Sequence, residues 1–241
     1  MILEKEMKLS EVILHDFNLV PIINRFGIQL GFGDSTIESV CKNKDIDLDF
    51  FMTILNSFHD PQYLDKEYLR SFPVELLINY LKETHKYYLS DKIPEIEALI
   101  DDMVEEARDD KEPCLLLQKF FKDYVYELKK HIDREEALVY PYVIKLSSSL
   151  KTASIPDSVI SMVKEYSITL YEKEHDDVEE KLNDLKNIII KYLPTVKDQK
   201  NRFLLLKELS ALENDLADHA RIEDLILIPK VEILEKKALL G

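Results

Sequence analysis

Two stretches of the chain carry one pattern: His131-Ile-Asp-Arg-Glu135-Glu-Ala-Leu-Val-Tyr-Pro141 and His219-Ala-Arg-Ile-Glu223-Asp-Leu-Ile-Leu-Ile-Pro229, each reading His-x3-Glu-x5-Pro. Four residues along an α-helix make about 400° of rotation, so each histidine stacks one turn from its glutamate on the same helix face. Both copies lie in long segments of helical period. Leu115, Phe120, Val125 and Leu128 mark the apolar stripe around the first, and Leu204, Leu205, Leu209, Leu212 and Leu216 that around the second.

Outward from these copies, the same periodicity defines four long helical stretches at residues 74–108, 113–140, 157–192 and 197–235. The connections, at 109–113, 147–156 and 194–197, are short, which predicts an up-down antiparallel four-helix bundle. Pro94 predicts a kink or break near Ser90-Asp91 in the first helix. The chain is 241 residues long with only 4 glycines, against about 7% in an average domain. Hairpins and glycine-rich phosphate loops are correspondingly disfavoured, and the expected fold class is all-α.

Before the bundle the character differs. Residues 10–58 read as short helical pieces separated by Pro21, Gly27 and the turn Gly31-Phe32-Gly33-Asp34, with Asp47 capping the segment that starts at Leu48. Pro61 and Pro73 interrupt any continuing helix. The expected organisation is therefore a small helical N-terminal domain over residues 1–62, then the bundle over 63–241.

A formal net charge of −15 argues against a nucleic-acid footprint and against binding to an acidic membrane surface. The charged N-terminus has no signal-peptide character, and no run reaches the roughly 18 apolar residues of a spanning helix. A soluble, cytoplasmic protein is expected. Cys41 and Cys114 form no CxxC pair and read as free thiols.

Of six histidines, four fall one per long helix: His85, His131, His175 and His219, separated by 46, 44 and 44 residues. In an antiparallel bundle a near-constant separation sets all four at one height. A lone His-x3-Glu, such as His175 with Glu179, is ordinarily a surface pair worth a few tenths of a kcal/mol. The joint pattern supplies four nitrogens and two carboxylates to one layer, a donor set that suits iron or manganese, and two carboxylates able to bridge suit a pair of ions. Burying six such groups without metal would cost several kcal/mol. Glu127 and Asp215, four residues before His131 and His219, lie on the same faces and could orient the imidazoles. Tyr87, Tyr88, Tyr126, Tyr140 and Tyr171 read as fillers, and His15 and His59 as surface or capping residues.

The stretch 74–235 resembles the hemerythrin-like (HHE) domain, whose ligand pattern His…His-x3-Glu…His…His-x3-Glu matches His85, His131, Glu135, His175, His219 and Glu223. The resemblance implies a centre of two iron ions with an oxo or hydroxo bridge, Glu135 and Glu223 spanning the irons and the histidines capping them. Oxygen-carrying hemerythrin has a second histidine where Glu179 stands, and His-x4-Asp in the last helix. The set here is more similar to the iron-sulfur cluster repair (RIC, ScdA/YtfE-type) family, in which an acidic residue near the centre corresponds to Glu174. Phe26-Gly-Ile-Gln-Leu-Gly-Phe-Gly-Asp-Ser-Thr-Ile-Glu-Ser-Val-Cys41 resembles that family's N-terminal segment, with Gly31-Phe32 where its paired cysteines belong.

Three functional readings follow. The first is a di-iron stress-response protein that restores iron-sulfur clusters or handles nitric oxide, with iron-sulfur proteins as partners. The second is a module that binds or senses O2 or NO without turnover. The third is a metal-free interaction protein. No Ser-His-Asp arrangement or phosphate loop supports classical catalysis.

Overall fold

The computed structural model describes residues 2–63, 65–107, 111–152, 154–173, 178–194 and 199–240. Among them the regular structure is helical, apart from an isolated bridge between Lys8 and Thr36, and no helix is long and apolar enough to cross a membrane.

The N-terminal part holds α1 (Leu9–His15), α2 (Leu19–Arg25), α3 (Ile37–Lys44) and α4 (Leu48–His59). Thr36 caps α3 by accepting from the Ser39 N–H, and Asp47 caps α4 by accepting from the Phe50 N–H. Gly31 has φ 104°, a backbone conformation that residues with a side chain rarely adopt. After α5 (Lys66–Ser71), the first rod of the bundle comprises α6 (Val74–Tyr87) and α7 (Ile93–Glu106), and the second comprises α8 (Glu112–Arg134) and α9 (Tyr140–Ser149). The third side is broken into α10 (Asp157–Glu165), α11 (Ile168–Lys173) and α12 (Val178–Lys191), where a single helix over 157–192 was expected. The fourth rod comprises α13 (Lys200–Ile222) and α14 (Ile228–Leu240).

Each two-helix rod is joined by one widened π-helical turn: Tyr88–Lys92, Glu135–Val139 and Glu223–Leu227. All three end two residues before a proline: Pro94, Pro141 and Pro229. Proline donates no N–H, and in an α-helix its ring collides with the carbonyl four residues back. The wider turn relieves that collision, so the rods continue through their prolines. This is why the second rod runs to Ser149 instead of stopping at Tyr140. The carbonyl that Pro229 leaves without its helical donor is that of Leu225, and Arg70 donates to it through Nε at 3.2 Å and Nη2 at 2.7 Å.

The apolar interior falls into two clusters. One joins α7, α8, α12 and α13. The other joins α6, α9, α10, α11 and α14 with the N-terminal helices, so described residues on both sides of position 62 share a continuous core. Phe26 packs edge-on against Phe51 at 4.8 Å and lies 5.4 Å from Tyr80 of α6. In α8 the inward face is Cys114, Leu117, Phe121, Val125 and Leu128. Leu115 and Phe120, expected in that stripe, are about half exposed. At the level of the π turns a polar layer separates the two clusters.

Candidate metal centre

The first residue of each π turn points into the core: Tyr88 is fully buried, Glu135 is 0% exposed and Glu223 3%. The widened turn displaces these side chains inward, and the last turns of α6, α8 and α13 supply His85, His131 and His219. His85 Nε2 lies 3.2 Å from Glu135 Oε2 and 3.2 Å from His219 Nε2. His131 Nε2 lies 3.1 Å from Glu135 Oε1, and His219 Nε2 lies 3.5 Å from Glu223 Oε2. Two potential ligand groups result, His85–Glu135–His219 and His131–Glu135–Glu223, each with its donor atoms within 4.8 Å of one another. Glu135 belongs to both, one oxygen toward each.

The electrostatics of this layer suit a cation. Burial pushes the Glu135 carboxyl up, but the His131 and His85 imidazoles that face it and the nearby His219 outweigh it and hold the group well below the usual carboxylate range. Glu223 is driven the opposite way, by burial and then by the Glu135 charge, and sits well above that range. His219 is pushed well below an ordinary histidine by burial and by His85. Two like carboxylates in a dry layer thus cannot both ionise without a cation. Glu135 Oε2 and Glu223 Oε2 are buried without a hydrogen-bond partner, which native interiors rarely tolerate. An imidazole and carboxylate donor set with two orphaned oxygens fits one or two bound metal ions.

Of the six ligands expected from sequence, His85, His131, Glu135, His219 and Glu223 converge here. His175 and Glu174 lie outside the described residues. Glu127 and Asp215 take other partners than the imidazoles they were expected to orient. Glu127 is exposed and pairs with Lys181. Asp215 pairs with the buried Arg25 and accepts from Tyr88 Oη at 3.3 Å.

Three side chains that the sequence reading passed over do reach the layer. Glu136 accepts from His85 Nδ1 at 3.0 Å, fixing that ring with Nε2 toward the centre. An acidic residue follows the glutamate in both copies of the motif, Glu136 and Asp224, and this was the available signal. Tyr140 stacks on His85 with ring centres 5.8 Å apart and donates to Glu223 Oε1 at 2.9 Å. Tyr171 donates to Glu135 Oε1. No spacing rule singles out these tyrosines, because the second copy has Ile228 where the first has Tyr140. Both phenols are pushed above the ordinary tyrosine range by burial and by the carboxylates they face, so they act as donors.

Cys41 is buried, and burial with the Asp47 charge pushes its thiol up to about 11. Cys114 is buried in the opposite cluster. With its pKa at about 11, the Cys41 thiol stays protonated near neutrality.

Comparison with known proteins agrees with this geometry. The iron-sulfur cluster repair protein ScdA of Staphylococcus haemolyticus is 22% identical over 213 residues, covering 87% of this chain and 90% of that protein. The family described as the hemerythrin HHE cation binding domain matches residues 76–231, which contain every member of the polar layer. With its paired motif, its π-turn glutamates and that match, the chain belongs to the hemerythrin HHE cation-binding family.

Proposed function

We propose that the chain is a non-haem di-iron protein of the iron-sulfur cluster repair type, acting in nitrosative and oxidative stress. The observation that carries the reading is the pair of ligand groups sharing Glu135 in a layer between two apolar clusters. The likeness to ScdA over both the N-terminal part and the bundle adds to it. His85, Glu135 and His219 would hold one ion and His131, Glu135 and Glu223 the other; His175, the sixth ligand expected from sequence, lies outside the described residues. Iron bound there would supply one-electron redox chemistry and affinity for a diatomic ligand such as NO or O2. The chain's own residues do the rest. Glu135 keeps both positions in register, Glu136 orients His85, Tyr140 and Tyr171 hold the carboxylates in place, and the apolar clusters exclude water.

A second reading, a module that binds O2 or NO without turnover, is favoured by one observation. Gly31-Phe32 stands where the repair family carries its cysteine pair, and Cys41 is buried with its thiol pushed up, so Cys41 is not poised to receive iron.

Metal content and the optical spectrum of anaerobically purified protein test the reading directly. About two irons per chain, lost in Glu135→Ala plus Glu223→Ala, is the expected result; less than one metal per chain, unchanged by the substitutions, rejects it. Reactivation of an NO-damaged cluster enzyme by stoichiometric loaded protein is expected of a repair protein, and its failure alongside reversible NO binding selects the second reading.

A further inference from the structure

Arg25, the last residue of α2, carries the N-terminal part into the bundle. Its side chain is 1% exposed. Nη1 donates to Tyr80 Oη at 3.1 Å, Nη2 pairs with Asp215 Oδ2, and the guanidinium carbon lies 4.9 Å from the centre of the Tyr87 ring. Asp215 stands one turn before His219 on the same face of α13, where a carboxylate backing that imidazole would stand. Yet both of its oxygens are engaged elsewhere, one by Arg25 and the other by Tyr88. The consequence shows on the ring: His219 Nδ1 is buried with no hydrogen-bond partner.

Its neighbour in the same ligand group differs, since His85 Nδ1 is backed by Glu136. A metal-bound imidazole ordinarily donates its second N–H to a carboxylate, carbonyl or water, and that partner raises its hold on the ion. A buried, charge-assisted guanidinium–carboxylate pair outcompetes a neutral imidazole N–H for the same oxygen.

We propose that Arg25 is a positioning residue that withholds Asp215 from His219, so that docking of the N-terminal part keeps the His85–Glu135–His219 position labile. The inference rests on the metal-centre reading above. It gives the N-terminal part a role that needs no thiol: α2, docked through Arg25, keeps Asp215 turned away from His219 Nδ1, and the ion at this position is easily given up.

The test follows release of iron(II) to ferrozine from the full-length protein under anaerobic conditions, in wild type, Arg25→Met, Asp215→Asn and the double variant. Circular dichroism checks folding. Nitrogen-15 NMR of the metal-free forms reads the hydrogen-bonding state of His219 Nδ1. Arg25→Met is expected to slow one release phase by about tenfold or more and to bring Nδ1 into a hydrogen bond. Asp215→Asn alone should release iron close to the wild-type rate, and the double variant should lose the slowing. Faster or unchanged release from Arg25→Met overturns the proposal. So does an approximately tenfold acceleration in Asp215→Asn, which would mean that Asp215 already supports His219. Should Arg25→Met fail to fold, Asp215→Asn decides alone on the same criterion. A wild type that binds no iron overturns the metal-centre reading and this inference with it, whereas two bound irons with unchanged Arg25→Met kinetics overturns the inference only.

Discussion

Tyr140 shows how much one hydroxyl matters in a layer suited to a cation. Its Oη donates to Glu223 Oε1 while Glu223 Oε2 has no partner. Tyr140→Phe therefore strips the carboxyl of its hydrogen bond in the metal-free protein, a loss of about 1–3 kcal/mol when the acceptor stays buried. For a chain of this size that lowers Tm by ~2–4 °C per kcal/mol. With metal bound, the ion compensates Glu223, and the loss should shrink by half or more. Thermal melts of both forms check this, and an equal loss in each would mean that the hydroxyl does not serve the carboxylate. Four of the five residues that converge here, His131, Glu135, His219 and Glu223, were legible at this scale because an i,i+4 pair shares a face whatever surrounds it, and His85 was legible from the matched spacing of one histidine per helix. Glu127 and Asp215 obey the same spacing but serve other groups, Lys181 and Arg25. Helix phase fixes the direction of a side chain, and the strongest available partner then decides its use.

Among elements, the three π turns do the positioning. The prolines were visible in the motif, but a proline reads in sequence as a stop or a kink, and the reading consequently ended the second helix at 140. What spacing could not show is that a widened turn six to two residues before each proline lets the helix continue while driving its first residue inward. Pro229→Ala tests the link. Alanine restores a backbone donor and removes the ring, so α-helical hydrogen bonding can return across 223–229. The π turn contains one residue more per turn than its α counterpart, and its loss would rotate Glu223 by roughly 100° away from the layer. The expected outcome is unchanged or higher thermal stability of the metal-free protein together with metal binding at least about tenfold weaker. Tight binding with an intact π turn would show that packing, rather than the proline, maintains it.

For the molecule as a whole, charge and layering set the response to acid and to chelation. Lys92, in the first π turn, pairs with Glu208 of α13, tying the first rod to the fourth. Burial pushes the Glu208 carboxyl up, but the hydrogen bond and charge of Lys92 outweigh it, so its folded value is lowered. A lowered carboxylate stabilises the fold above the unfolded value of about 4.3 and loses that contribution as pH falls through the folded value. Glu208→Gln should thus be less stable than wild type near neutrality and converge with it below pH ~4 in urea titrations. A gap that persists at low pH would assign the effect to packing.

Chelation acts on the layer between the two apolar clusters. The bundle was legible in sequence because apolar periodicity reports each cluster. The division between them was not legible, because it arises only where the π turns bring polar groups to the same height. Metal in that layer would join the clusters, and without it the layer holds buried carboxyl oxygens that lack hydrogen-bond partners. Hydrogen exchange followed by mass spectrometry should find one slow cooperative unit in the loaded protein. In the metal-free protein it should find two, with α7, α8, α12 and α13 opening before the half that contains α6, α9, α14 and the N-terminal helices, and with the change in rate at the π turns. A single unit in both forms would mean that the apolar contacts along the rods already couple the halves, and that the centre is held by the fold without holding it together in return.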